Sequence, residues 1–562
     1  MNEWTVHPGW VLIVGALLLP WLRGSARSLA VLSIPAVALG CAWFLPDGAL
    51  WQAQFLDYTI APLVVDDLSR LFAIIFCLMA LGGGLFALRQ ESRLEMPAAF
   101  VYAGSAVGVA LAGDLVTVFV YWELMAIGST LVLWSASTPR SYRASLRYLM
   151  IHLLGGVLLF AGIAGHVAQT GDAAFARLAL DTPAHWLILS GFLINAGAPP
   201  LSAWLPDAYP EASWSGTVFL SAFTTKTAVY VLMRGFPGAE LLVWVGLFMI
   251  FYGIIYALLE NDMRRILAYS IVNQVGFMVT GIGIGTEMAL NGAAAHAFTH
   301  IIYKALLLMS AGSVLYMTGR RKCSELGGLF HSMPVATICG TIGALAISSF
   351  PLTSGFVSKS MISQAAGDGH LLAVWMLLAA ASAGVFLHAG IKFPWFVFFQ
   401  KDSGLRPDDP PASMRCAMIL FAFLCVALGV WPQPLYDLLP YPVHYVPYTA
   451  AHVVTQLQLL LFSGLAFFVM LPYLRRTLTI TLDSDWLYRR VGPVLIGKLG
   501  GVLEALLAGA AAAGERLRHV GKRALEHLHG TEGVLARTWA TGSMAFGIML
   551  MLLAFLLSYY LA

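Results

Sequence analysis

The chain has 562 residues, of which 59% are hydrophobic and only 11% are charged, and its mean hydropathy is +0.79. Soluble domains carry about 25% charged residues, so the composition excludes a soluble protein and indicates one that crosses a membrane many times. The net charge of +3 says little, and six cysteines without paired spacing indicate neither a disulfide framework nor an iron–sulfur cluster.

Taken in chain order, about sixteen apolar segments are long enough, or nearly so, to cross a bilayer, which takes about 20 residues. They lie at 8–22, 28–45, 69–89, 96–113, 115–134, 146–168, 184–203, 214–234, 239–259, 265–285, 290–317, 333–366, 371–399, 413–431, 452–474 and 542–561. The pattern predicts an all-α polytopic membrane protein with about 16 transmembrane helices, the first of them short.

The loops between these segments differ in charge. Basic residues concentrate in alternate loops, including 135–145, 259–265 and 318–333, whereas the intervening loops carry mostly acidic residues. Cytoplasmic loops of membrane proteins carry an excess of lysine and arginine. The alternation therefore predicts that these three loops are cytoplasmic and that both chain ends lie outside.

Two of the predicted spans are interrupted. The sequence LINAGAPPLSAWLPDAYPEA places four prolines, among them Pro200 and Pro206, in or beside one span, and ISSFPLTSGFVSKS interrupts another at Pro351 and Gly355. Proline removes a helix hydrogen bond, and a broken helix at membrane depth is tolerated only where it packs in protein or lines a wet cavity. Two such breaks are typical of transporters built from repeats.

Ionisable residues lie within the apolar spans. In HAFTHIIYK, the residues His296, His300 and Lys304 recur at i, i+4 and i+8, so they share one helix face. Further ionisable side chains in apolar spans are Glu123, His152, Lys226, Lys359, His388 and Lys392. A central charge costs about 2.5–3.5 kcal/mol in the bilayer. Because histidine titrates near neutral pH and a lysine removed from water can exchange a proton there too, the set predicts a proton path.

Structural interpretations remain open for several of these residues. Lys359 and Lys392 lie near predicted helix ends, where their amines could reach the membrane surface. Glu123 could serve only as an ion-pair partner, and His152 could be a packed, hydrogen-bonded core residue. The row at 296–304 is the hardest to explain by packing, because three aligned polar groups are costly in hydrocarbon.

The stretch 475–541 differs from the rest of the chain. It is amphipathic and carries ten basic residues against six acidic ones. This pattern predicts a helix lying along the inner membrane surface, on lipid or on a partner protein. A solvated cytoplasmic linker is the alternative.

Four sequence blocks resemble those of the proton-translocating antiporter-type subunits shared by respiratory complex I, the Mrp Na⁺/H⁺ antiporters and membrane hydrogenases. They are WLPDAYPEA, which includes Trp204, Pro206 and Asp207, then NDMRRILAYSIVNQVGF, HAFTHIIYKALLLMSAG and GFVSK. Together they cover about residues 65–360 in the family's order. The whole chain most resembles the D-type subunits of Mrp antiporters, whereas its amphipathic stretch and final span are similar to the largest antiporter subunit of complex I.

The resemblance implies about fourteen core helices, two inverted five-helix repeats with broken helices, and a proton path along a charged axis at mid-membrane. The residues that it implies for this axis are Glu123, Lys226, His300, Lys304, Lys359 and, by the repeat relation, Lys392. The aligned row adds His296 to the predicted path. The expected organisation is N-terminal helices, two repeats, C-terminal core helices, the amphipathic stretch and a terminal helix, at 1–95, 96–234, 235–400, 401–474, 475–541 and 542–562.

One position departs from the family pattern. The family has a lysine shortly before the proline-rich stretch, and this chain has Asn195 there. Glu123 therefore lacks its usual cationic partner. We expect Lys226 to be the partner instead, and the alternative is a Glu123 that is protonated at rest.

The predicted function is that of the proton-conducting subunit of a multisubunit cation/proton antiporter, with Na⁺ as the candidate cation, in a bacterial cytoplasmic membrane. We expect other membrane subunits and lipid as partners, no nucleic acid, no cofactor or metal, and no enzyme activity in this chain itself. The alternatives are a pumping module of a complex I- or hydrogenase-like complex, a structural or coupling subunit that does not conduct, and the proton-conducting partner of an inorganic-carbon uptake system.

Overall fold

The computed structural model describes most of the chain, namely residues 5–55, 57–472, 483–531, 533–535 and 538–561. Three parts of the predicted stretch 475–541 therefore lie outside the described residues. The chain divides into two compact units, Met1–Asp485 and Trp486–Ala562.

The first unit is almost entirely helical, which confirms the predicted helical membrane fold. Its helices follow the predicted spans in chain order. They are α1 (Pro8–Leu18), α2 (Gly24–Phe44), α3 (Asp67–Phe86), α4 (Glu95–Leu111), α5 (Leu115–Trp134), α6 (Pro139–Thr170), α7 (Pro183–Ala196), α8 (Trp204–Ala208), α9 (Gly216–Leu220), α10 (Thr224–Gly235), α11 (Leu241–Leu259), α12 (Met263–Ile284), α13 (Glu287–Thr318), α14 (Pro334–Ile347), α15 (Ser354–Asp368), α16 (Leu372–Val385), α17 (Ala412–Val430), α18 (Gln433–Tyr436) and α19 (Ala450–Met470).

Local sequence explains where the long helices begin and end. The side chain of Thr138 accepts a hydrogen bond from the backbone N–H of Ser141, and the Ser141 side chain accepts one in return from the backbone N–H of Thr138, so α6 begins with a capping box. Helix α13 begins after Thr286 and ends at Gly319, whose φ of +67° is favourable for glycine. These signals set the boundaries of the helix that carries the row at 296–304.

Thirteen helices of the described chain are long and apolar enough to cross a membrane, and three shorter apolar helices accompany them. One of the thirteen is Leu487–His529, which falls within the stretch expected to lie on the membrane surface. Length and hydropathy alone do not distinguish the two placements, so the surface placement stays a prediction.

A β-hairpin was not predicted. Strands β1 (Gly48–Phe55) and β2 (Tyr58–Val65) pair antiparallel in the loop between α2 and α3. The two strands contain several β-branched and aromatic residues, which favour extended structure. The backbone N–H of Ala61 donates to Asp114 Oδ2 at 2.8 Å, so the hairpin is fixed to the start of α5.

The two predicted helix breaks are present. Helix α7 ends at Gly197, whose φ is +79°, and the chain runs irregularly to α8. Between α14 and α15, Ser349 and Leu352 have φ values of 57° and 70°, a conformation that is rare for residues with a side chain. Both breaks lie within the helical unit, as expected for irregular backbone at membrane depth.

Two further irregularities were not predicted. The predicted span 214–234 is divided into α9 and α10, with the break at residues 221–223. The predicted span 371–399 continues from α16 through π-helical turns at Phe386–Lys392 and Trp395–Phe399. Wide turns of this kind are frequent at functional sites, and Lys392 ends the first of them.

The second unit contains α20 (Gly492–His529) and α21 (Thr541–Leu561). The apolar side chains of α20 include Leu499, Val502 and Leu506, all of which are exposed within this unit. Spacings of three and four residues place them on one face of the helix. This face agrees with the amphipathic character predicted for the stretch.

The orientation of the protein in the membrane, which the loop charges predict, can be tested by cysteine labelling. A cysteine introduced by Arg320→Cys, in the exposed part of the loop 318–333, is expected to react with an impermeant thiol reagent only from the cytoplasmic side. Asp172→Cys, in the exposed acidic loop between α6 and α7, is the matched control and should react only from outside. Wild-type protein gives the background of the native cysteines, and labelling of Arg320→Cys from outside would contradict the predicted topology.

Candidate functional site

Glu123 lies on α5 with its carboxylate against α6. A Cβ atom added to Gly156 would collide with Glu123 Oε1, so the glycine makes room for the carboxylate. Within the described residues, Oε1 is buried without a hydrogen-bond partner, and no ion pair reaches the side chain. The expected pairing with Lys226 is therefore not seen.

Asn195 lies near the end of α7 and faces the same helix, α6. Its side chain is 1% exposed, and neither amide atom finds a hydrogen-bond partner in the described part of the chain. The Asn195 Oδ1 atom is 3.6 Å from the position that a Cβ on Gly155 would take. Asn195 and Glu123 thus approach neighbouring glycines of the same helix, α6.

His152 lies one turn before these glycines on α6. Its Nδ1–H donates to the carbonyl oxygen of Tyr148 at 2.8 Å, and its ring stacks on that of Tyr148 with centroids 3.9 Å apart. The ring of Trp204 packs edge-on at 4.7 Å, and Trp204 Nε1 donates to Ile194 O at 2.9 Å. These contacts fit a packed core histidine.

Helices α6 and α7 touch through their backbones. A Cβ on Gly162 would lie 2.7 Å from Ala184 O, and one on Gly191 would lie 2.9 Å from Gly155 O. Real Cβ contacts are essentially never so short, so glycine is required at these positions. We call this contact between α6 and α7 the glycine seam.

Charged side chains make the contacts that fix the first helix break, on the side of α8. Arg147 donates twice to the carboxylate of Asp207, from Nε at 2.7 Å and from Nη2 at 2.8 Å. The guanidinium of Arg264 donates to the carbonyl oxygens of Pro210 and Ala212, both at 2.9 Å. Asp207 and the backbone carbonyl groups of the WLPDAYPEA motif thus hold the irregular segment around α8 in place.

The remaining residues of the predicted helix-break motifs also determine the course of the backbone. Pro200 follows a cis peptide bond, and Pro206 lies inside α8. Pro351 lies in the gap before α15, and a Cβ on Gly355 would collide with Ala346 O. The glycine therefore lets α15 start close against the end of α14.

Lys226 is fully buried at the break between α9 and α10. Its Nζ donates to the carbonyl oxygen of Ser221 at 2.6 Å and to Thr225 Oγ1 at 3.2 Å. The break is thus capped by a lysine side chain. This interaction explains a helix interruption in a segment that has neither proline nor glycine at residues 221–223.

The predicted row on α13 is fully buried. His296, His300 and Lys304 all have 0% exposure. Over the described residues, neither ring nitrogen of His300 has a hydrogen-bond partner, and the same is true of Lys304 Nζ. Two adjacent members of the row are therefore unsatisfied polar groups in the centre of the protein.

His296 instead belongs to a hydrogen-bond network. Its Nε2 lies 3.1 Å from Gln274 Oε1, and its Nδ1 lies 3.4 Å from Ser358 Oγ. Tyr303 OH donates to the same oxygen of Gln274 at 3.1 Å. The sequence analysis did not single out Gln274, Tyr303 or Ser358, because uncharged polar residues are common in membrane helices.

Lys226 belongs to the first predicted repeat and lies near the row on α13, which belongs to the second. Lys226 lies at the start of α10, and α10 packs against α13, which carries His296, His300 and Lys304. Four predicted residues from two different spans therefore form one group. No hydrogen bond joins Oε1 of Glu123 to this group within the described residues.

Lys359 adjoins this group from α15. It is 2% exposed, and its Nζ lies 5.0 Å from the ring centroid of Phe277. No hydrogen-bond acceptor within the described ranges contacts this Nζ. The charge of Lys359 acts on His296, which connects α15 to the row on α13.

Lys392 differs from the other lysines. Its Nζ donates to three backbone carbonyl oxygens at the end of α11, those of Ala257 at 3.0 Å, Leu258 at 2.6 Å and Glu260 at 2.5 Å. This geometry caps a helix C-terminus. His388, four residues before Lys392, is fully buried, and its Nδ1–H donates to the carbonyl oxygen of Gly384 at 2.8 Å.

Comparisons with known proteins agree with this architecture. The model of the family described as NADH:quinone oxidoreductase/Mrp antiporter, transmembrane, matches residues 112–386. The chain is 31% identical over 376 residues to NADH-quinone oxidoreductase subunit N of Desulforudis audaxviator, covering 61% of this chain and 74% of that protein.

Antiporter subunits are also among the relatives. The chain is 28% identical over 413 residues to the D-type Na(+)/H(+) antiporter subunit of Alkalihalophilus pseudofirmus, covering 69% of this chain and 83% of that one. It is 30% identical over 392 residues to a probable K(+)/H(+) antiporter subunit of the A/B type from Rhizobium meliloti. That match covers 65% of this chain and spans only 39% of the longer relative.

A solved structure has the same fold. A chain of the Mrp complex from Dietzia sp. DQ12-45-1b superposes with a TM-score of 0.68 at 21% identity, covering 78% of this chain and 95% of that one. At this identity the similarity establishes the fold alone. Together with the family model and the relatives, it shows that the chain belongs to the transmembrane family shared by NADH:quinone oxidoreductase and Mrp antiporter subunits.

Proposed function

We propose that this chain is the proton-conducting membrane subunit of a multisubunit cation/proton antiporter. The observation that carries the proposal is the set of buried, unsatisfied groups at His300, Lys304 and Lys359. An unsatisfied buried polar group costs about 1–3 kcal/mol. Groups of this cost that titrate and interact with one another are typical of proton relays in membrane proteins.

The proposed path runs through both halves of the unit. Its members are Glu123, Lys226, His296, His300, Lys304, Lys359 and Lys392. Lys226 supports the path because its helix, α10, packs against α13, which carries the row. Glu123 is the terminal acid of this path, and His388 is an additional candidate because it is fully buried four residues before Lys392.

The relatives favour a cation antiporter without excluding a respiratory pump. The relative from Alkalihalophilus pseudofirmus, an Na(+)/H(+) antiporter subunit by name, is covered to 83% of its length, so Na⁺ is the candidate coupled ion. The similarity to NADH-quinone oxidoreductase subunit N supports the second candidate, a proton-pumping module of a respiratory complex. In either case redox chemistry would belong to partner subunits in a bacterial cytoplasmic membrane.

The proposal is tested in everted membrane vesicles from cells that express the chain's complete gene cluster. A pH gradient is established by respiration and followed with a fluorescent amine. We expect Na⁺ to dissipate the gradient in vesicles with the complete cluster and not in vesicles that lack this one chain. Equal dissipation of the gradient by Na⁺ in both preparations would reject the proposed function. If formation of the pH gradient requires this chain but added cations do not dissipate it, the respiratory pump is favoured.

Gly156→Ala tests whether the carboxylate of Glu123 needs its present position. The added Cβ would collide with Glu123 Oε1, which is the mobile end of a side chain, so the helix packing survives and the carboxylate moves. We expect transport to fall by roughly tenfold or more, since a displacement of about 1 Å can have such an effect.

The control is Gly155→Ala, at the neighbouring residue of the same helix. The nearest atom to its added Cβ would be Ile194 Cγ2 at 3.3 Å, a contact that a small shift relieves. Transport per assembled complex should stay near that of the wild type. Equal transport by both variants would contradict a role for the position of Glu123.

A further inference from the structure

A polar chamber of about 310 Å³ lies beside Lys359. It is bounded by the second helix break, by the outer half of α15, by α16 and by the start of α19. Its polar lining includes Ser349, Ser363, Gln364 and Thr455. A cavity needs only about 10–15 Å³ to hold one water molecule, so this chamber has room for several.

The chamber connects the buried amine to the protein surface. Lys359 is 2% exposed and lines the chamber, and no described residue bonds to its Nζ. At the other end, Gln364 and Thr455 are exposed. The ends of α15 and α19 at this opening belong to the face that the loop charges place outside.

Helix α19 supplies one wall of the chamber. This helix lies beyond residues 112–386, which the family model matches, and beyond the two predicted repeats. Gln456 Nε2 donates to Ser348 O at 3.2 Å, so α19 is bonded to the broken segment before α15. The chamber therefore depends on a helix outside the segment that the family model matches.

His452 is the titratable residue that α19 brings to this wall. Its ring stacks on Phe356 with centroids 4.4 Å apart and an interplanar angle of 15°, and Phe356 lies one turn before Lys359 on α15. The Nδ1–H of His452 donates to Pro447 O at 2.7 Å. A neutral imidazole with its hydrogen on Nδ1 has a lone pair on Nε2, which can accept a proton.

We propose that His452 exchanges protons with Lys359 through water in this chamber and so connects the buried path to the outer face. This inference rests on the proposed function and adds to it a residue outside the two predicted repeats. In the outward direction, an N–H bond of the Lys359 ammonium breaks as water takes the proton. An N–H bond forms at His452 Nε2, which leaves Lys359 neutral and His452 cationic, and His452 then releases its proton to the water outside.

The first test uses the substitution His452→Gln in everted vesicles that contain the complete complex. Glutamine is polar and of similar size but does not carry a proton. We expect transport per assembled complex to fall by about tenfold or more, as for loss of a positioned proton-transfer group. Imidazole present on the side of the chamber opening should restore much of the loss, because a free imidazole can replace the missing group but cannot repair a packing defect.

The matched control is His444→Gln. His444 is an exposed histidine of the loop that precedes α19 and does not line the chamber, so its replacement should leave transport unchanged with or without imidazole. Wild-type transport by His452→Gln, or a loss that imidazole does not restore, would overturn the role of His452.

A second measurement does not depend on transport. Ser363→Cys should be modified by an impermeant thiol reagent added outside to intact cells, since the residue lines a chamber open to water. Ser313→Cys, fully buried on α13, should stay unmodified. If Ser363→Cys is protected from the reagent, the chamber is not open to water and the inference fails. If Ser363→Cys is labelled but wild-type vesicles show no transport, the proposed function is rejected and the water-filled chamber is retained.

Discussion

Lys304→Met is expected to reduce proton transport by roughly a hundredfold or more while the protein still assembles. A relay cannot pass a proton through a thioether, and positioned proton-transfer groups contribute about 10²–10⁴-fold. The reason for intact assembly is structural. Among the described residues Lys304 Nζ has no hydrogen-bond partner, so its removal leaves no other group unsatisfied, and methionine fills nearly the same volume.

The comparison that makes this result specific is Lys392→Met. The Nζ of Lys392 donates to three carbonyl oxygens at the end of α11, and each buried acceptor left unpaired costs about 1–3 kcal/mol. We therefore expect this variant to lose assembled complex and thermal stability first. Both variants are measured as transport per assembled complex and as melting temperature.

Two outcomes would contradict this assignment. Near-normal transport by Lys304→Met would remove Lys304 from the path. A Lys392→Met protein that assembles and melts as the wild type does would contradict the role of Lys392 in capping α11.

Asn195→Lys is expected to give Glu123 the cation that it lacks. The two side chains approach the adjacent glycines Gly155 and Gly156, and within the described chain neither the amide of Asn195 nor Oε1 of Glu123 makes a hydrogen bond. We expect a lysine at this position to extend along α6 to the carboxylate and to form an ion pair with it. Assembly of this variant should be close to that of the wild type.

The double variant Asn195→Lys/Glu123→Gln provides the test. Removing one partner of a buried ion pair leaves an uncompensated charge, which costs about 3–5 kcal/mol. We expect the melting temperature of the double variant to lie well below those of both single variants, with a coupling term that a double-mutant cycle measures. Additive effects would show that the introduced lysine does not meet Glu123.

The spans of this protein could be predicted from sequence because the membrane requires long apolar segments. The two breaks at Pro200 and Pro351 were equally predictable, since proline removes a helix hydrogen bond. The break beside Lys226 was not, because it depends on a hydrogen bond from a lysine to the carbonyl oxygen of Ser221. The hairpin at 48–65 was missed because it lies in a loop whose short apolar stretches cannot span a bilayer.

The candidate site was predictable in its members but not in their partners. Charged residues in apolar spans are rare enough to be noticed individually, which is how Glu123 and Lys304 were found. Which of them meet depends on packing between distant helices, and the expected pair of Glu123 with Lys226 is not seen. The network around His296 escaped prediction because Gln274 and Ser358 are ordinary residues until the fold brings them together.

The glycine seam limits how the first half of the protein can move. Helices whose backbones touch have little free space between them, because even a methyl group at Gly162 or Gly191 would collide with a carbonyl oxygen of the other helix. Rearrangements here are then rotations of side chains such as Glu123, which need not wait for the microsecond-to-millisecond shifts of whole helices. The amide hydrogens along the seam should accordingly be among the slowest in the protein to exchange with solvent.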